Sequence, residues 1–118
     1  MDFGSFGVVG IRSAFVNQEV PLSFHVVATY TAQEGRGDEL ESHLKAMLGP
    51  SQAEPGCISY RVIRSDEDPD QFVIVEEYES SEAFEEHRNS PHFEQHARQG
   101  AMTLLASRIV VTGHEVTA

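Results

Sequence analysis

The side chains best suited to chemistry cluster between positions 76 and 92: Glu76, Tyr78, His87 and His92. Histidine titrates closest to neutral pH, so His87 can act as a general base. It follows Phe84 by three residues, which puts both on one side of a helix and lets them share a cavity. Glu76 alternates along a strand with Phe72, Ile74 and Tyr78. If that face meets the helices, the Glu76 carboxylate lies in or near the core and must be paired or protonated there. Two roles are then open to it: orienting a histidine or substrate hydroxyl, or making a structural hydrogen bond at the rim. His87 has an equally plain alternative as a half-buried histidine bonded to a carbonyl or to Glu76. Tyr30 and Tyr60 can offer hydroxyls to the same cavity, although an aromatic residue on a strand is more often simple core.

Other reactive groups point to less. His92 and His96 stand four residues apart, a spacing that can hold a metal, but no third ligand lies close in sequence, and no metal is assigned. Cys57 begins a strand with no activating base beside it, so nucleophilic catalysis is not indicated. The glycines show neither phosphate-loop nor dinucleotide-binding spacing, so a nucleotide cofactor has no anchor in this sequence.

These side chains need elements to hold them. Residues 22–31 alternate Leu22, Phe24, Val26, Ala28, Tyr30 against more polar neighbours, which predicts a strand. Asp38 and Glu39 suit a first helical turn, and Leu40, Leu44, Met47 and Leu48 recur at helical spacing. That helix should end near Gly49-Pro50 or run on irregularly to Glu54. Cys57–Arg64 and Gln71–Glu79 read as a hairpin joined across the acidic turn at Asp66–Asp70. Ser80 suits an N-cap, Ala83, Phe84 and His87 form a short apolar stripe, and Ser90-Pro91 restarts a helix. Phe93, Ala97, Ala101, Leu104 and Leu105 should continue that helical face, and Arg108–Val116 should be the last strand. Residues 1–21, with three glycines and no sustained period, are expected to be an N-terminal extension.

The predicted order over residues 22–118 is β-α-β-β-α-β, a ferredoxin-like α+β fold in which two helices cover one face of a four-stranded antiparallel sheet. Strands apolar on both sides, such as Phe72/Ile74 with Val73/Val75, imply that the other face is buried too, most simply against a second copy. A homodimer is therefore expected.

Composition bounds the partners. Nineteen acids against eight bases give a net charge of −11, which repels phosphate backbones and anionic lipid heads and argues against nucleic acid. The acidic runs at 66–70 and 76–86 are read as solvated faces rather than metal sites. No stretch approaches the ~18 apolar residues of a membrane span. A lone cysteine allows no internal disulfide, and the Met-Asp start with its first base at Arg12 lacks the pattern of a secretory signal. A cytoplasmic location is expected.

Three segments, EPGCISY at 54–60, FVIVEEYES at 72–80 and EAFEEHRNSPHF at 82–93, together resemble the antibiotic biosynthesis monooxygenase family. The shared positions are Pro55, Gly56, Tyr60, Glu76, Tyr78, His87, Ser90, His92 and Phe93. The resemblance implies a dimeric α+β barrel and a small aromatic or quinol-like substrate oxidised by dioxygen without a cofactor. It implies His87 as the base with Glu76 orienting it, and Tyr78, His92, Tyr60, Phe72, Phe84 and Tyr30 around the substrate. The family's haem-degrading branch is expected to use a Trp and a first-strand Asn, which this chain lacks. Tyr78 in place of a Trp also resembles an autoinducer-processing branch acting on a phosphorylated diketone. A non-catalytic ligand-binding dimer is the third possibility, since fold does not fix function.

Overall fold

The computed structural model describes residues 22–118, so the expected N-terminal extension lies outside the described residues. Along the chain run β1 (Phe24–Ala32), α1 (Gly37–Gln52), β2 (Cys57–Arg64), β3 (Gln71–Tyr78) and α2 (Ser81–Arg88). A π-helical segment (Phe93–Arg98), a 3₁₀ turn (Ala101–Leu104) and β4 (Leu105–Gly113) complete it. The four strands pair antiparallel in the order β2-β3-β1-β4, which is the ferredoxin-like arrangement. Among the described residues no helix is long and apolar enough to cross a membrane.

The strand alternation sorts side chains as expected. Val26, Ala28 and Tyr30 of β1, Tyr60 of β2, and Phe72, Ile74, Glu76 and Tyr78 of β3 are buried under the helices. Leu40, Leu44 and Met47 of α1 close on them, with Phe93, Ala97, Ala101 and Leu104 from the later helical segments. The opposite sheet face carries two cross-strand rows, Ile109–Thr29–Val73–Ile63 and Val111–Val27–Val75–Arg61. It is largely apolar, and its outer members Ile109 and Val111 are each 64% exposed. Cross-strand apolar pairs of this kind normally meet another layer.

Helix α1 follows the second of its two expected endings, and the largest departures from the sequence reading lie after Phe93. Helix α1 runs through Pro50 to Gln52. The Ala53 N–H still bonds to Gly49 O (3.1 Å), and Glu54 follows directly in a tight turn. The helical face expected to continue through Leu105 breaks at Gly100, whose backbone lies so close to His43 of α1 that a Cβ there would come within 2.5 Å of the imidazole. Before that break the turns widen, with Gln99 N–H reaching Glu94 O five residues back. The last strand consequently begins at Leu105 and ends at Gly113, three residues earlier at each end than Arg108–Val116.

A second close approach anchors the start of α1. Gly37 N–H donates to Asp70 Oδ1 (2.9 Å), and a Cβ on Gly37 would fall 2.1 Å from the carbonyl oxygen of Pro69. Backbone is the obstacle here, so neither side can yield cheaply. Gly37→Ala should therefore destabilise the fold by about 1–3 kcal/mol, the usual range for forced overpacking. Denaturant unfolding of the two proteins measures this, and equal midpoints would refute it.

Candidate functional site

The site is assembled where α1 ends, α2 ends and the sheet's buried face begins. Helix α2 is started by Ser80, whose Oγ accepts from Ala83 N–H (3.1 Å). It is stopped by Ser90, whose Oγ donates to His87 O (2.7 Å) and accepts from Phe93 N–H (3.2 Å). This pair of hydrogen bonds at Ser90 fixes the joint to the next helical segment and so the relation of His87 to His92. On the other side, Gly56 lets the chain after α1 press against Ala83, where a Cβ would lie 2.5 Å from the alanine methyl. The Glu54-Pro55-Gly56 turn is thus held against α2.

His87 is 1% exposed, boxed in by the rings of Tyr60, Tyr78, Phe84 and Phe93 with centroids 5.2–6.2 Å away. Its Nδ1 lies 2.8 Å from Glu54 Oε2, and the same oxygen is bonded to His92 Nε2. Its Nε2 is 3.9 Å from Glu76 Oε1, beyond a direct hydrogen bond. Glu76 instead accepts from the Tyr78 hydroxyl at 2.6 Å. The carboxylate that orients His87 is therefore Glu54, and Glu76 faces the ring's far nitrogen.

Burial dominates the protonation of these groups. It lowers the affinity of His87 for a second proton, partly offset by the bond to Glu54. It raises the Glu76 carboxyl to about 7, opposed by the Tyr78 hydrogen bond. The Tyr78 hydroxyl is pushed up by its burial and then by the Glu76 charge, so it stays a donor, and Tyr60 is likewise raised by burial. Burial also raises the Cys57 thiol to about 11, far from the thiolate a nucleophile needs. With Glu54 accepting at Nδ1, the Nε2 lone pair of neutral His87 faces Glu76 and the adjoining cavity.

That cavity has a volume of about 30 Å³. Tyr30, Tyr60, Glu76, Phe84 and His87 line it, with Arg108 of β4 on its outer side. Arg88 and Arg108 lie over the rings of Phe84 and Tyr30 at 5.8 and 5.9 Å. Anything larger than a water or two must displace some of these side chains.

Three of the sequence-predicted residues fall elsewhere. Tyr78 is fully buried beside Glu76, in the wall behind the cavity. His92 turns to Glu54 on the far side of His87. Phe72 lies in the core under the Arg64 guanidinium (5.1 Å) and lines a separate groove beside α1. Sequence reasoning missed Glu54 and Arg108. Glu54 carried one usable signal, its place just before the Pro55-Gly56 turn. Arg108 sits two residues before Val110 on a strand, and that spacing puts both on the cavity side.

The antibiotic biosynthesis monooxygenase family pattern matches residues 23–99. The chain belongs to that family. It is similar to a Pseudomonas aeruginosa protein of known structure, with 29% identity over 85% of this chain and 100% of that one and a TM-score of 0.77. It is also similar to one from Mycobacterium tuberculosis, with 30% identity over 81% and 97% of the two chains and a TM-score of 0.74. A structure described as an antibiotic biosynthesis monooxygenase shares the fold at 21% identity, covering 80% of this chain and 99% of that one, with a TM-score of 0.74. None of the curated proteins matches.

The raised Glu76 carboxyl makes a prediction for stability. A carboxyl whose folded value is raised from 4.5 to about 7 stabilises the fold most below the unfolded value and loses that contribution as pH rises through about 7. The loss amounts to roughly 3 kcal/mol at about 1.4 kcal/mol per unit. Glu76→Gln keeps an acceptor for Tyr78 and carries no charge, so its melting temperature should exceed that of the parent at about pH 8 and approach it at about pH 5. His87, shifted the opposite way, weakens both proteins alike in acid and drops out of the comparison. A pH-independent difference between the two proteins would count against a buried, titrating Glu76.

Proposed function

We propose that the chain is a cytoplasmic homodimeric monooxygenase that oxidises a small quinol or electron-rich phenol with dioxygen and without a bound cofactor. The observation that carries this reading is His87, with Nδ1 fixed by Glu54 and Nε2 turned to an apolar cavity beside Glu76. Family membership supports the reaction class.

In this mechanism His87 Nε2 takes the phenolic proton, and the resulting anion donates one electron to dioxygen. The substrate radical and superoxide combine to form a carbon–oxygen bond, giving a peroxide. The O–O bond then breaks as the carbon that bears it loses its hydrogen. The departing oxygen takes that hydrogen as one proton and the proton held by His87 as the other and leaves as water, so a hydroquinone plus dioxygen gives a hydroxyquinone plus water. Tyr60, Phe84 and Phe93 exclude bulk water around the radical pair, and Glu76, its carboxyl raised by burial, can hold a proton opposite Nε2.

A binding module without turnover is the second reading, since the same fold and pocket can hold a ligand without acting on it. The second copy in this proposal covers the open sheet face, supported by Val27, Ile63, Ile109 and Val111 lying exposed together on it.

Oxygen-electrode assays with hydroquinones and anthrone-like phenols should show consumption by chelator-treated protein. His87→Ala should cut the rate by roughly 10²-fold or more in protein that circular dichroism shows to be folded. An unchanged rate would remove His87 from the mechanism. No turnover of these phenols or of a phosphorylated diketone, with a phenol still bound, would favour the binding module. Sedimentation should give about twice the 13.1 kDa chain mass, and a folded monomer at micromolar concentration would exclude the dimer.

A further inference from the structure

Behind His87, away from the cavity, two imidazole nitrogens converge on one carboxylate oxygen. Glu54 Oε2 bonds both Nδ1 of His87 and Nε2 of His92, and one ligand atom from each of the three residues lies within 4.8 Å of the others. His96, the other half of the histidine pair suggested by sequence, is not in this group. We infer that Glu54, His87 and His92 form a binding site for a divalent transition ion of borderline softness, such as zinc, which takes the place of the hydrogen bonds holding the three together.

The donor set fits that chemistry. Two imidazoles and a carboxylate, with a fourth position left for water, are a common zinc ligand set, and imidazole nitrogen selects such ions over calcium or magnesium. The three residues come from three separately anchored segments: the Pro55-Gly56 turn, the last turn of α2, and the helical restart after Ser90. Around an ion at about 2.0–2.1 Å, tetrahedral donor atoms stand roughly 3.3 Å apart, so the cluster must open by roughly half an ångström to an ångström. The two residues nearer solvent can supply that movement, since the side chains of Glu54 and His92 are 15% and 18% exposed while His87 is locked in the core. The same exposure gives an ion a path in and a water a place to bind. A chain of net charge −11 also concentrates cations at its surface.

The ion would occupy the nitrogen through which Glu54 orients His87. A neutral imidazole coordinated at Nδ1 carries its proton on Nε2, where it cannot accept another. Bound metal would therefore switch off the base of the proposed oxidation. That consequence rests on the proposed reaction, whereas binding itself does not.

Cobalt(II) is the probe, because its visible absorption reports coordination without reference to activity. Chelator-treated full-length protein titrated with cobalt(II) should develop the intense visible bands of a four- or five-coordinate ion, saturate at one ion per chain, and lose the bands when zinc is added. Loss of an outer-shell partner already costs about 10–100-fold in metal affinity, so Glu54→Gln and His92→Gln should each weaken binding by about 100-fold or more. His96→Gln should stay within about twofold of the parent. Circular dichroism checks that each variant is folded. Parent protein that develops no such bands at millimolar cobalt overturns the inference, as does equal binding by folded Glu54→Gln or equal loss in His96→Gln. Oxygen consumption measured with and without zinc separates the two ideas, since binding without an effect on turnover leaves the site standing and removes only its link to His87.

Discussion

The interior of this protein is organised around one buried histidine. An imidazole at 1% exposure has two polar nitrogens that must be answered or left at a cost of about 1–3 kcal/mol each. Glu54 answers Nδ1 directly. Nε2 has no partner within hydrogen-bond range among the described residues and looks toward a carboxyl that burial pushes up to about 7. Much of the surrounding architecture follows from that asymmetry. The Pro55-Gly56 turn presses against Ala83 and delivers Glu54, Ser90 fixes the end of α2, and four aromatic rings keep water from His87.

The sheet supplies two surfaces with different duties. On the helix side, β3 presents Phe72, Ile74, Glu76 and Tyr78 in succession, so one strand passes from pure core to a polar pair within a few residues. On the other side, Val27, Ile63, Ile109 and Val111 offer an apolar face with nothing over it among the described residues. Strand β4 belongs to both surfaces. It carries Arg108 and Val110 to the cavity and Ile109 and Val111 to the open face, so whatever covers that face also bears on the cavity's outer wall.

Acid–base character within the site is set by how far each group is buried. Glu76 and Tyr78 share one hydrogen bond, and both are shifted toward their protonated forms because neither can bury charge cheaply. His87 is shifted the other way for the same reason, since its neutral form is the one that burial favours. A neutral base facing an acid that titrates near 7 is a useful pair for moving one proton, and the pairing needs no ionic contact to hold it.

Period and punctuation in the sequence were enough for the strands, both main helices, the Ser80 cap and the face that carries Glu76, because those depend on neighbours two to four residues apart. The resemblance around residues 54–93 likewise led to His87 and Tyr60, both of which border the cavity. Contacts between distant segments lay beyond that reach. Glu54 meets His87 across 33 positions and His92 across 38, and no local pattern records such a meeting. At the break, Gly100 lies against His43, a residue 57 positions away, a neighbour that no local pattern announces. Phe72 matched the alternation that suggested a cavity wall, yet its position along β3 put it under Arg64 instead. A period assigns a side chain to a face; only the packing of the helices across that face determines which side chains end up beside one another.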